Sequence, residues 1–419
     1  MEKFLITGGR TLSGEIIASG SKNAALPLLF LSLMAEKRCE LKRVPDLTDI
    51  QIALELLDVF GVSHEASSNN SFCLDPSKIH FEVAPYELAS KMRASILILG
   101  PLLTRLGHAS IPLPGGCAIG ARPIDQHLKG LIAMGAKINL ENGIIHARAK
   151  RLLGVCFDFE MITVTGTINL LMAGVLAKGT TILNNISIEP EVIFLSNLLN
   201  KMGAEIKIFP DKRKMIIEGV ESLSGFEVDV PPDRVEVGTL MIAGIITKGN
   251  IKITRCSPDD LSAVTHCLSL VGAEIVSGND WIQIKSKDVL TSLDVETSPF
   301  PGFPTDLQAQ FMSLMCIARG ESNITETIFE NRFMHVAELN RMGAKIVLSG
   351  RNAKILGVSN LNGAPVNATD LRASASLVLA GLAAKGETVI DSVFHLDRGY
   401  EALEVGLTSL GAKIERIGS

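Results

Sequence analysis

The sequence predicts an α/β protein of two lobes, built from six repeated units of about 70 residues, with apolar helices inside and sheets outside. Three observations predict it. A phrase closed by glycine, nearly always Gly-Ala, recurs at Gly61, Gly135, Gly203, Gly272, Gly343 and Gly411. Each phrase is preceded by a short helix that is apolar almost all round. The strand pair expected after the last phrase is missing there, and its counterpart stands at the N-terminus.

The elements follow in order. Each glycine ends an amphipathic helix, as in Leu131-Ile-Ala-Met-Gly135, and a strand such as Ala136-Lys-Ile-Asn-Leu140 comes next. The apolar helices are expected over Ala24–Met34, Ala94–Thr104, Ile168–Ala177, Gly238–Thr247, Leu307–Ala318 and Ala373–Ala384. A helix of that kind must be buried on most of its faces. Most lead through a Gly turn into a strand such as Thr180–Leu183 or Glu387–Ile390. Each full unit then ends in two strands, for example Met215–Val220 and Leu223–Val230. The last unit stops after Gly411-Ala-Lys-Ile-Glu-Arg-Ile417, while Phe4–Gly9 and Leu12–Ala18 carry the matching pair. The lobes are therefore expected at 22–230 and at 1–21 plus 231–419, the N-terminus completing the final unit. Two crossings, near Ser21 and near Pro231-Pro232, would suit a hinge beside a ligand cleft.

Composition narrows the function. The 419 residues carry 40 Lys+Arg against 45 Asp+Glu, a net charge of −5, which disfavours a nucleic-acid binder. With 47% hydrophobic and 20% charged residues, disorder is excluded as the dominant state. The longest uncharged stretch, Met161–Ala177, is too short and too broken by Thr, Gly and Asn to span a membrane, and the start Met1-Glu2-Lys3-Phe4 does not read as a signal peptide. Seven dispersed cysteines without a CxxC pair argue against structural zinc and for reduced thiols in a cytoplasm. Cys39, Cys256, Cys267 and Cys316 lie in apolar patterns and are expected to be buried.

Charge recurs in register with the repeats. The apolar helices start at Lys22-Asn23, Arg93, Thr165, Arg234, Asp306 and Arg372. The loops after the Gly-closed strands hold Asp49, Arg122, Glu189, Glu191, Asp259, Asp260, Arg332 and Arg398. Counting one place per unit in each set, Lys or Arg occurs at seven of twelve in an acidic chain. Helix N-termini favour anions, so cations beside them make a phosphate or carboxylate site; the alternative is solvated charge or ordinary salt bridges. The segment Leu113-Pro-Gly-Gly-Cys117-Ala-Ile-Gly-Ala-Arg122-Pro-Ile-Asp125 reads as an irregular loop with an accessible Cys117, its thiolate favoured by Arg122. Asp306 is either a helix cap or a carboxylate able to take a proton from a hydroxyl. His127, His335 and His395 lie near these loops and read as mainly structural.

These residues fall in segments that resemble the enolpyruvyl transferase family: Gly20-Ser-Lys22-Asn23-Ala, Met92-Arg93-Ala-Ser, Pro114-Gly-Gly-Cys117-Ala-Ile-Gly-Ala-Arg122-Pro, Pro232-Asp-Arg-Val-Glu, Phe303-Pro-Thr-Asp306-Leu-Gln, Glu330-Asn-Arg332-Phe-Met-His, Thr369-Asp-Leu-Arg372-Ala-Ser and Asp397-Arg398-Gly-Tyr. They span the chain in order. The resemblance implies two inside-out α/β barrels. It also implies transfer of the enolpyruvyl group of phosphoenolpyruvate to the 3-hydroxyl of UDP-N-acetylglucosamine, an early step of bacterial peptidoglycan synthesis. It implies that Lys22, Arg122 and Arg398 hold phosphoenolpyruvate, with Arg93, Arg332 and Arg372 in support. Cys117 matches the family's general acid and Asp306 the residue that takes the sugar proton. Asn23, Arg93, Arg122, Pro123, Ile124, Asp125, Gln126, Thr163, Asp306 and Ile328 match UDP-sugar contacts. The third-unit loop departs from other members at Met161 and over Val164-Thr165-Gly166-Thr167. No metal, no cofactor, no nucleic acid and no obligate protein partner is implied. The Cys117 loop is expected to close over the UDP-sugar.

The rival readings are the sister transferase that uses shikimate 3-phosphate, and a non-catalytic repeat scaffold that binds anions. An RNA-end-processing enzyme of similar repeats fits six units and a net charge of −5 poorly.

Overall fold

Caps decide where the inner helices begin. In the computed structural model, which describes residues 2–67, 70–115 and 124–418, four of them open on a side chain that accepts from the first turn. Ser21 Oγ accepts from Ala24 N, and Thr163 Oγ1 from Gly166 N. Asp233 accepts from Val235 N and Glu236 N, and Asp370 from Arg372 N and Ala373 N. Such caps satisfy amide groups that the helix leaves orphaned. The helices are Lys22–Leu31, Leu99–Leu106 with a tight lead-in over Arg93–Ile98, Val164–Val175, Arg234–Ile246, Gln308–Met315 after a turn over Thr305–Leu307, and Leu371–Ala383. Several thus start ahead of the apolar runs. The capping residue sets the start, and the polar first turn is drawn into the helix.

The apolar character of these helices is matched by burial. Every residue from Val235 to Ile246 is buried, as is every residue from Arg372 to Leu382. Each fully buried Leu or Ile contributes about 2 kcal/mol by removal from water. Small residues let the helices approach. A Cβ on Gly238 would stand 2.3 Å from a Leu307 methyl, so the position admits no larger side chain without displacement. Two separate hydrophobic cores result, one drawn from residues between Ala24 and Val230, the other from Phe4–Ala18 and Val235–Ile414.

Of the described residues, those from Gly20 to Pro231 form one compact unit; those up to Ser19 and from Pro232 onward form a second. There are six sheets among them, five of four strands and one of three. Most pairs are antiparallel, some of them hairpins such as Ala273–Ser277 with Trp281–Ser286. Three of the five four-stranded sheets also contain a strand–helix–strand crossover with parallel pairing. Cys156–Asp158 runs beside Thr180–Asn184, Val295–Glu296 beside Glu321–Thr325, and Pro365–Asn367 beside Glu387–Asp391. A buried helix lies between the two strands in each case.

The exceptions are the two crossings between units, where partners are exchanged. Ser13–Ile17 precedes helix Lys22–Leu31, yet it pairs with Asn250–Thr254. Glu227–Asp229 precedes helix Arg234–Ile246, yet it pairs with Cys39–Lys42. Each unit therefore closes on its own strands. The sequence reading gives the two strands that end a unit but not the partners they pair with. Lys3–Thr7 lies between Glu387–Asp391 and Lys413–Ile417, while Ser13–Ile17 leaves for another sheet. A parallel strand needs an amide ladder that its own hairpin neighbour cannot supply.

The cysteines need one correction. Cys39, Cys256 and Cys316 are buried, but Cys267 is only half-buried. Among the described residues no helix is long and apolar enough to cross a membrane. Cys117, Arg122 and Pro123, with the loop expected to close, lie outside the described residues.

Candidate active site

A cation in the first turn of a helix has the wrong sign for the helix dipole and calls for an anion nearby. Arg372, second residue of helix Leu371–Ala383, finds one in Asp306. Its Nη2 donates to Asp306 Oδ2 at 2.8 Å. Arg332, in the loop before helix Val336–Arg341, donates through Nη2 to Asp306 Oδ1, also at 2.8 Å. Asp306 itself does not cap: the turn Thr305–Leu307 has no side-chain cap, and both carboxylate oxygens go to guanidinium groups.

Exposure separates the roles within this triad. The Arg332 and Arg372 side chains are 3% and 6% exposed, whereas that of Asp306 keeps 27%. Burial raises the Asp306 carboxyl pKa, but the charges of Arg372 and Arg332 outweigh it and hold the group well below the usual carboxylate range. Two cations on one carboxylate leave a surplus of positive charge. Arg332 Nη1 and Arg372 Nη1 are both buried and have no hydrogen-bond partner among the described residues. Such orphans are rare in folded proteins, and each keeps an N–H able to donate. A carboxylate so neutralised is a poor base. It gains basicity once an anion draws off part of the guanidinium charge.

The loop beside it is organised by Glu326, which the sequence reading did not single out. Glu326 is fully buried and takes Thr297 Oγ1 at 3.0 Å, Thr305 Oγ1 at 2.9 Å, Ile328 N at 2.8 Å and Phe329 N at 3.1 Å. Three of these go to Oε1 and that from Thr305 to Oε2, so both oxygens are engaged. It fixes Ile328 against the turn that carries Asp306. No local motif signals this, because the threonines lie more than twenty residues away in sequence. Arg398 ends the tight turn Val393–Arg398 and is half-buried. Its neighbour Asp397 is held by Arg416, through Nη2 at 2.7 Å and Nη1 at 3.1 Å.

In the unit from Gly20 to Pro231, Lys22 opens its helix and places Nζ 3.1 Å from Asp49 Oδ2, with only 11% and 5% of the two side chains exposed. Asn23 beside it is exposed. Arg93 is half-buried, and His127 is buried near it. Burial, with the Arg93 charge second, lowers the His127 pKa to about 3, against an opposing pull from Asp125. His127 is therefore neutral. Its Nδ1 accepts from Asn169 Nδ2 at 3.0 Å, which assigns the proton to Nε2, 3.2 Å from Thr165 Oγ1.

Some matched contact residues have structural work of their own. Gln126 is buried; its Oε1 accepts from Glu160 N at 2.7 Å and its Nε2 donates to Met161 O at 3.1 Å. Thr163 caps its helix, and Asp125 Oδ2 lies 3.3 Å from Lys129 Nζ. Ile124 is half-buried just ahead of helix Asp125–Ala133. The structure brings together Asp306, Arg332 and Arg372 in one unit, and Lys22 with Asp49 in the other. Among the described residues no group of His, Cys, Asp and Glu could hold a metal ion.

Comparison with known proteins gives a consistent family. Residues 6–407 match the EPSP synthase (3-phosphoshikimate 1-carboxyvinyltransferase) family. The UDP-N-acetylglucosamine 1-carboxyvinyltransferase of Dichelobacter nodosus is 51% identical over 417 residues, covering 100% of this chain and 99% of that one. That of Idiomarina loihiensis is 50% identical over 418 residues, covering 100% of both. Among solved structures, the enolpyruvyl transferase NikO from Streptomyces tendae superposes with a TM-score of 0.90 at 25% identity, over 100% of this chain and 99% of that one. The EPSP synthase of Acinetobacter baumannii gives 0.79 at 18% identity over 100% of both chains, a likeness of fold. On the full-length match and the half-identity to these relatives, the chain belongs to the enolpyruvyl transferase family.

Proposed function

We propose that the protein transfers the enolpyruvyl (1-carboxyvinyl) group of phosphoenolpyruvate to the 3-hydroxyl of UDP-N-acetylglucosamine with release of phosphate. The observation that carries the choice of acceptor is the half-identity, over the whole chain, to relatives named for that reaction, against 18% for a synthase of the shikimate branch. The open edge of Asp306 between two buried arginines supports the chemistry.

Phosphoenolpyruvate is a small trianion, and Lys22, Arg122 and Arg398 are its holders in this reading. Arg93, Arg332 and Arg372 supply further positive charge. Asn23, Pro123, Ile124, Asp125, Gln126, Thr163 and Ile328 frame the UDP-sugar, the buried Gln126 and the capping Thr163 through the loops they hold. Cys117 gives its thiol proton to the methylene carbon, which leaves C2 electron-poor. The sugar oxygen attacks C2 while its proton passes to Asp306. A methyl proton then returns to the Cys117 thiolate as the C–O bond to phosphate breaks, which restores the double bond, and the departing phosphate takes the proton held by Asp306. No cofactor or metal enters these steps. Arrival of the trianion shares the charge of Arg332 and Arg372, which raises the basicity of Asp306 when the hydroxyl is in place.

In the same reading the two compact units are inside-out α/β barrels of three repeats each, at 22–230 and at 1–21 plus 231–419. The protein works in the cytoplasm, at the first committed step of peptidoglycan synthesis, and so serves cell wall biogenesis, cell shape and division. The deciding test is phosphate release from phosphoenolpyruvate with each acceptor. Release that requires UDP-N-acetylglucosamine and is absent with shikimate 3-phosphate is expected; release with shikimate 3-phosphate alone, or with neither, overturns the proposal.

A further inference from the structure

We propose that Tyr400 is a positioning residue for Asp306, acting through Gln310 and Arg372. Tyr400 lies two residues beyond Arg398 and is 2% exposed. Its hydroxyl is 2.9 Å from Thr239 Oγ1 and accepts from Gln310 Nε2 at 3.1 Å. Thr239 Oγ1 is also 2.8 Å from Val235 O, to which it gives its own proton. The Tyr400 proton therefore goes to Thr239, and the phenol oxygen is left to accept from Gln310.

Two lines run from this phenol to the candidate site. Gln310 Nε2 also reaches the backbone carbonyl of Asp306 at 3.0 Å and, sharing the N–H on the phenol side, Thr239 Oγ1 at 3.2 Å, so one amide group holds both the phenol–threonine pair and the turn that carries the carboxylate. The face of the ring supports the guanidinium of Arg372, whose Cζ is 5.6 Å from the ring centre. Thr239, Gln310 and Arg372 stand on three different buried helices, Arg234–Ile246, Gln308–Met315 and Leu371–Ala383. Tyr400 is the residue that touches all three. Its own backbone is set by N–H donation to Leu396 O at 2.9 Å. The backbone of Asp306 and the plane of Arg372 are thus referred to one rigid group. A hydroxyl network buried in this way specifies geometry more than it adds stability.

The inference rests on Asp306 as acceptor of the sugar proton. The test is steady-state phosphate release by the full chain with phosphoenolpyruvate and UDP-N-acetylglucosamine, with thermal unfolding followed on each variant. Y400F keeps the ring and removes the hydroxyl; kcat is expected to fall about tenfold, with KM for both substrates within about threefold. T239V, which keeps shape and removes the acceptor of the phenol proton, is expected to move kcat the same way by a smaller factor. It serves as the readout if Y400F does not fold. In the R372K background, the loss from Y400F is expected to shrink but not to vanish, because the line through Arg372 is already altered while that through Gln310 remains. Unchanged kcat in both Y400F and T239V, an effect confined to KM, or an equal loss in both backgrounds overturns the inference. Absence of turnover in the unaltered chain instead removes the functional reading, and the inference with it.

Discussion

Two buried polar clusters, one in each compact unit, look alike by composition and differ in how completely they are satisfied. Around Asn169 every side-chain group has a partner. Its Oδ1 accepts from Gly100 N at 2.8 Å, and its Nδ2 donates to Ile96 O and His127 Nδ1, both at 3.0 Å. Around Asp306 the accounts do not close. Both polar atoms of Gln308, Gln310 Oε1, Arg332 Nη1, Arg372 Nη1 and His335 Nε2 are buried without a hydrogen-bond partner among the described residues. A satisfied network holds helices together; an incomplete one, rich in cations, leaves N–H groups able to bond an anion. The difference teaches that burial and polarity alone do not mark a site. Nor does a lone atom unpaired among the described residues, such as Thr181 Oγ1, Thr388 Oγ1 or Glu404 Oε2; what sets Asp306 apart is that two unpaired guanidinium N–H groups belong to its own partners.

The strongest way to break this contrast is at the open carboxylate. Asp306→Asn keeps the size but turns an N–H toward one guanidinium and abolishes proton acceptance. Phosphate release is expected to fall about 10³-fold, roughly 4 kcal/mol in the barrier, with the unfolding midpoint little changed. A variant within tenfold of the unaltered rate would remove Asp306 from the chemistry.

The matching change in the satisfied cluster has the opposite signature. Asn169→Ala strands Gly100 N–H, the Ile96 carbonyl and His127, and is expected to cost about 3 kcal/mol or more of stability. Turnover per folded molecule stays within about twofold, because no substrate group is touched. Urea unfolding and specific activity on the same sample check it; a loss of turnover without a shift in unfolding would erase the distinction between the clusters.

The smallest effect sharpens the contrast through pH. His127 is held to about 3 and His335 to about 4, each chiefly by burial, below the ordinary value of 6.5. A lowered folded value means that the unfolded chain binds the proton first. The stability these groups contribute is therefore complete above about pH 6.5 and is lost as pH falls toward their folded values. Each contributes a slope of at most about 1.4 kcal/mol per pH unit. In His127→Gln the steepness of stability against pH between 6 and 4 is expected to drop by about one proton; an unaltered steepness would mean that His127 titrates normally in the folded state.

Much of this was legible in the chain. The apolar helices and the Gly-closed amphipathic ones are periodic, local features, and the charged helix starts are simple facts of position. Lys22, Arg93, Arg234, Asp306 and Arg372 all lie in first turns. The charged positions mark the helix starts to within a residue, whereas the apolar runs alone begin later than the caps Ser21, Thr163, Asp233 and Asp370 allow. Cys267 was misjudged because an apolar neighbourhood in sequence does not fix which face of a helix turns inward. Glu326, Gln310 and Tyr400 gave no signal, since each acts on partners far away in the chain.

By itself, the sequence determined which segments are helix or strand and which charges stand at the ends of the inner helices. Those properties arise from neighbours a few residues apart, where period, capping and glycine geometry act. Only the tertiary structure decided that Ser13–Ile17 and Glu227–Asp229 exchange partners at the crossings, and that Arg332 and Arg372 share one carboxylate. Strand ladders and buried ion pairs depend on which distant backbones meet when the core closes, and packing of whole helices sets that geometry.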